Sequence, residues 1–128
     1  MSKHRYYELR HFCLQYREWE EELNEIVKIP GSNFSEIKTD PGYLDPTFDM
    51  AERIMHLTSK MNLVKDMCFK TDESIGEYLF KAVTGDLTYV QLKSVFDIPC
   101  SRDYYYERYR KFFFNLSLQR EKIYYYNE

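Results

Sequence analysis

The residues with the most chemical potential lie in the run SRDYYYERYRKFFF, Ser101 to Phe114, where seven of fourteen residues are Tyr or Phe and four are Arg or Lys. At helical spacing, Tyr104, Arg108, Lys111 and Asn115 share one stripe, and Arg102, Tyr106 and Arg110 share a flank. Arg and Lys neutralise phosphates, Tyr hydroxyls donate to them, and Arg or Asn reads base edges, so these seven residues are the candidate DNA contacts. The competing reading is a solvated helix face partly paired with Asp103 and Glu107. Tyr105, Tyr109, Phe112 and Leu116 form the core seam of the same helix. Phe114 points away from that seam and wants a cover, which the Tyr124, Tyr125, Tyr126 tail or a second subunit would supply.

Other chemistry finds little support. His4, His11 and His56 do not combine with Cys13, Cys68 and Cys100 at the spacing of a zinc site, so neither metal nor cofactor is expected. There is no GxSxG, Gly-rich phosphate loop or HExxH, which argues against an enzyme. Cys100 stands at a helix N-terminus, where a thiol pKa is lowered, yet without a committed histidine it reads as structural. Three widely spaced cysteines fit reduced thiols, and the charged, apolar-poor start MSKHRYYELR lacks a signal peptide, so a cytoplasmic location is expected. No apolar run approaches a membrane span.

The elements that must position the aromatic run are helical. Leu9, Phe12, Tyr16, Trp19, Leu23 and Ile26 are spaced 3, 4, 3, 4, 3, which predicts one heptad-seamed helix from Arg5 to Lys28. Met50, Ile54, Leu57, Met61, Val64 and Cys68 form a second seam, from a helix restarting near Thr47 or Asp49. Residues 30 to 48, rich in Pro and Gly, read as a loop. The two seams close as an antiparallel hairpin within one chain, or the first seam pairs two chains as a homodimer.

A third helix is expected over Ile75, Tyr78, Leu79, Ala82 and Val83, capped by Asp72 and stopped by Gly85. LTYVQLKSVF then reads as a short helix with Thr88 as cap and Leu87, Leu92, Val95 and Phe96 as its apolar face. After the turn DIPCS, the last helix starts at Ser101 and ends near Gln119, leaving a short tail over 120 to 128. Short helix, tight turn and longer helix have the layout of a helix-turn-helix, although Lys93 and Asp97 stand where the common pattern has a small residue and Gly. The expected fold is therefore all-α with about five helices in a single domain, a hairpin over 1 to 70 followed by a helix-turn-helix bundle over 71 to 119.

Three stretches carry a resemblance: Asp45 to Thr47 opening the second seam, Ala82 to Thr84, and IPCSRDYYYERYRKFF, Ile98 to Phe113. They resemble a family of small proteins encoded by phages and prophages of Gram-positive bacteria. Those proteins are similar in turn to late transcription regulators of the RinA and ArpU kind, with a C-terminal helix-turn-helix like that of sigma-factor region 4. Tyr109 stands where related sequences often have Arg. The resemblance implies a phage-encoded transcription regulator that contacts DNA. Charge supports a second expectation: residues 1 to 87 hold 11 Lys or Arg against 16 Asp or Glu, and residues 88 to 128 hold 7 against 5. An acidic helical body fits a module that binds a host nucleic-acid machine, such as RNA polymerase or a defence nuclease, without touching DNA.

Overall fold

Ser2 opens the first helix by accepting from the Arg5 amide at 3.1 Å, which satisfies one of the amides a helix start leaves unpaired. The computed structural model describes residues 1–28 and 44–126, and builds them into six helices. They are α1 (Lys3–Leu14), α2 (Tyr16–Lys28), α3 (Leu44–Thr71), α4 (Gly76–Gly85), α5 (Tyr89–Phe96) and α6 (Arg102–Tyr126). The all-α class holds. The extra element arises because the helix expected over Arg5 to Lys28 is divided at Gln15, whose amide turns back to the Phe12 carbonyl at 3.3 Å.

Two other boundaries move. The second seam's helix begins at Leu44 rather than at Thr47 or Asp49, and Pro46 is no obstacle because the first turn has no intrahelical amide bond to lose. The last helix runs to Tyr126, so most of the expected tail is helix. The expected loop over 30 to 48 lies outside the described residues up to position 43.

The chain packs as two compact units, Met1–Gln15 with Leu63–Glu128 and Tyr16–Asn62, so the division falls at different positions from the expected 70/71. In the smaller unit α2 and the first half of α3 run antiparallel. Glu22 pairs with Arg53 through bonds of 2.6 and 2.8 Å, whereas Trp19, three residues earlier, lies under Lys60, seven residues later, at 5.5 Å. Trp19 and Leu57 are buried here, as their seam positions require.

In the larger unit, α1 packs on α4 and α6. Leu9 and Cys13 bury one face of α1, and Val64, Met67, Cys68, Leu79, Ala82, Val83, Phe112, Phe113 and Leu116 are buried as well. Of the first seam, Leu9 and Trp19 are buried within the chain, whereas Phe12, Tyr16, Leu23 and Ile26 are half-buried. α1 and α6 run parallel: Tyr6 meets Tyr109 hydroxyl to hydroxyl at 2.7 Å, Arg5 donates to the Ser117 hydroxyl at 3.1 Å, and Arg120 covers the Phe12 ring at 4.3 Å. No helix among the described residues is long and apolar enough to cross a membrane.

Candidate nucleic-acid interface

The turn between α5 and α6 sets what α6 presents. Thr88 and Gln91 form a capping box: the Thr88 hydroxyl accepts from the Gln91 amide at 3.3 Å, and the Gln91 side chain accepts from the Thr88 amide at 2.9 Å. α5 ends at Asp97, with φ 51° and ψ 53°, a left-handed conformation at the position where helix-turn-helix sequences favour Gly. A short polar side chain is the best substitute there, since it suffers least from the Cβ clash. Lys93, the other departure from the usual pattern, braces the turn by donating to the Ile98 carbonyl and pairing with Asp97, both at 3.3 Å.

Beyond the turn, Ile98 is fully buried and the Tyr89 hydroxyl donates to the Cys100 carbonyl at 2.7 Å. The Tyr89 ring lies 5.6 Å from that of Tyr105, which is buried. The Ser101 hydroxyl caps α6 by accepting from the Tyr104 amide at 3.2 Å. Tyr89 thus ties the short helix to the turn and to Tyr105 of the long one. The rest of the expected apolar face of α5 is not used: Val95 and Phe96 are exposed and Leu87 is half-buried.

Of the seven candidate contacts, three turn inward and form an internal joint. Tyr104 donates to the Asp72 carboxylate, and the Arg108 Nε lies 3.3 Å from the same oxygen, off the line of a hydrogen bond. The Arg108 guanidinium also stacks on the Tyr104 ring at 5.0 Å. Asn115 donates to the Thr71 hydroxyl at 3.2 Å, and Thr71 in turn donates to the Met67 carbonyl at 2.7 Å. The polar groups of Tyr104 and Asn115 are therefore committed to the α3–α4 corner, and Arg108, half-buried, leans on it through its charge. This corrects the stripe of Tyr104, Arg108, Lys111 and Asn115 as one outward surface. Lys111 alone of the four is exposed.

The flank fares differently. Arg102 and Arg110 are exposed, Tyr106 is half-buried, and the Arg102 guanidinium sits over the Tyr106 ring at 5.7 Å. Asp103 and Glu107 lie beside them, also exposed, and dilute the positive field. An open depression lined by Met1, Tyr6, Arg110, Phe113 and Phe114 adjoins the end of this flank.

Asp72 is the centre of the internal joint. Rather than capping α4 directly, its Oδ1 accepts from the Ser74 amide at 2.9 Å, the Ser74 hydroxyl at 2.6 Å and the Ile75 amide at 3.3 Å. Burial pushes its carboxyl up, but the bonds from Ser74, Tyr104 and the Ile75 amide outweigh that and hold it below the ordinary value. The stop of α4 is Asp86 in a left-handed conformation, rather than Gly85, and its carboxylate takes Arg10 at 2.6 Å. The only sequence signal for Asp72 was its place before Ser74, an Asx-turn spacing.

The Cys100 thiol is pushed up, by partial burial and by Asp72, opposite to what a helix N-terminal nucleophile needs. Among the described residues no three His, Cys, Asp or Glu side chains are placed to hold a metal ion. The class defined is an all-α protein whose C-terminal helices form a short helix, a tight turn and a long helix with an exposed basic edge. Comparison with protein families, with curated proteins and with solved structures finds no match for the chain.

Proposed function

We propose that the protein is a phage-encoded, DNA-binding transcription regulator that reads its site with the first turns of α6. The observation that carries this reading is the turn: Asp97 in the left-handed region, with Ile98 and Tyr105 buried, sets α5 against α6 and leaves Arg102, Tyr106 and Arg110 along one open edge. A helix held this way enters a major groove with its leading residues towards the bases. Arg102 and Arg110 are assigned to phosphate or guanine contact and Tyr106 to phosphate. Tyr104, Arg108 and Asn115 position α6 from behind.

Fluorescence anisotropy against fragments from upstream of phage late genes tests the assignment. Arg102→Ala with Arg110→Ala is expected to abolish binding, and either change alone to weaken it and flatten the salt dependence by about one phosphate's worth. Binding that survives both changes refutes it. Arg108→Ala, on this reading, weakens the fold and not the intrinsic affinity.

A second reading rests on a separate observation, that Asp103 and Glu107 interleave with the basic edge and that Val90 and Val95 on α5 are exposed. Such a surface suits a host protein, for example RNA polymerase or a defence nuclease. A stoichiometric partner retained from nuclease-treated host lysate, with no DNA shift, would favour it.

A further inference from the structure

The outward face of α6 carries a seam that the fold does not use. Glu107, Lys111, Phe114, Leu118 and Glu121 are all exposed and are spaced 4, 3, 4, 3, so they lie in one row on the side of α6 away from Tyr105, Phe112 and Leu116. Phe114 is 55% exposed and Leu118 44%. Two large apolar side chains one turn apart, bracketed by charges, have the spacing of a short heptad seam. α6 continues as helix to Tyr126, so Tyr124 stands about 15 Å further along the axis than Phe114 at 1.5 Å per residue.

We propose that the occupant is a second copy of this chain, with the two α6 helices antiparallel about a two-fold axis level with position 116. In that register Phe114 of each copy meets Leu118 of the other, and Lys111 of each meets Glu121 of the other. Both apolar layers and both ion pairs are generated by one symmetry operation, as an isologous interface requires. The layers also alternate in the manner of an antiparallel coiled coil, with a positions facing d positions. A parallel pairing would instead set Glu107 on Glu107, Lys111 on Lys111 and Glu121 on Glu121, so charge selects the antiparallel arrangement.

The dimer has a geometric consequence that does rest on the DNA reading. Tyr106, the middle of the basic edge, is ten residues from the axis, so the two edges lie about 30 Å apart along the paired helices. One turn of B-DNA separates half-sites by about 34 Å. Arg102 and Tyr106 are rotated from the seam by a right angle or more and stay outside the interface, and Arg110 lies on its rim beside Lys111.

Sedimentation velocity over a wide concentration range tests the dimer. The wild-type chain is expected to pass from monomer to doubled mass as concentration rises. Lys111→Glu alone and Glu121→Lys alone each place like charges together and lose the dimer, and the double swap regains it. The two positions are ten residues apart on one helix and do not touch within a chain, so recovery reports contact between copies. A wild-type chain that stays monomeric at every concentration, or a double swap that regains nothing, overturns the proposal. A monomer that still binds DNA would leave the functional reading standing, and a dimer that binds none would overturn that reading alone.

Discussion

Replacing Asp72 tests how the corner between α3 and α4 holds α6 in place. Its side chain is 8% exposed, and it accepts from two backbone amides and two hydroxyls, so the Asp72→Ala variant strands several donors at once. Losing the turn cap costs about 1 kcal/mol, and a buried donor left without a partner costs roughly 1–3 kcal/mol unless water reaches it. Ser74 is exposed and recovers water, whereas Tyr104 is half-buried and Ile75 is buried. The expected loss is therefore about 3 kcal/mol, or roughly 10 °C in Tm for a domain of this size. Urea unfolding followed by far-UV circular dichroism measures it. Tyr104→Phe removes one of these bonds and should cost about 1 kcal/mol, and the double variant should fall short of the sum, because the two residues share a bond.

Acid supplies a second arm of the same experiment. The folded carboxyl lies below its ordinary value of 3.8, so the unfolded chain binds this proton more tightly and stability rises with pH across the interval between the two values. The contribution is fully present above the unfolded pKa and is lost as pH falls through the folded one. The stability gap between wild type and Asp72→Asn should accordingly narrow below about pH 4. A cost below about 1 kcal/mol for Asp72→Ala, or a gap that stays constant into acid, would refute the idea that this carboxylate clamps α6.

Three further outcomes follow from local geometry. A Cβ at Gly76 would lie 2.6 Å from the Phe69 ring and 3.0 Å from its Cα, so Gly76→Ala should destabilise by roughly 1–3 kcal/mol, measured by thermal unfolding. Asp97→Gly relieves a left-handed Cβ and loses only a highly exposed pair with Lys93, so it should be neutral or stabilising by about 0.5 kcal/mol, whereas Asp86→Gly, which loses the shorter pair with Arg10, should not gain as much. Cys13 and Cys68 are buried, and burial pushes the Cys13 thiol up to about 12, so a thiol reagent read by intact-mass spectrometry should label only Cys100 in the native chain and all three cysteines in denaturant.

Local signals in the sequence are legible where the deciding partner is close in the chain. Thr88 and Gln91 are three residues apart, and Ser101 caps an amide three residues on, so types and spacing alone identify both helix starts. The buried row of Tyr105, Phe112 and Leu116 follows from periodicity. Tyr104, Arg108 and Asn115 could not be placed in that way. Their partners, Asp72 and Thr71, are 32 to 44 residues away, and a basic or amide side chain has the same pattern whether it meets water, phosphate or a distant carboxylate. Val95 and Phe96 show the converse: apolar type suggested a core face, but an eight-residue helix already anchored by Leu92 buries little more. The break at Gln15 left no trace in the seam, since the 3–4 spacing runs through it unchanged.

The parallel seating of α1 on α6 has a bearing on how the chain is made. Tyr6 bonds to a residue 103 positions later and Arg5 to one 112 positions later. During synthesis α1 emerges more than a hundred residues ahead of these partners on α6, and its contact with α4 becomes available before the one with α6. The hairpin of residues 16–62 has its own local contacts to form in that interval, but the larger unit closes only when its last helix arrives. Contacts of such span make closure slow for an all-helical protein, and they leave the early nascent chain dependent on whatever shields an apolar helix face in the cell.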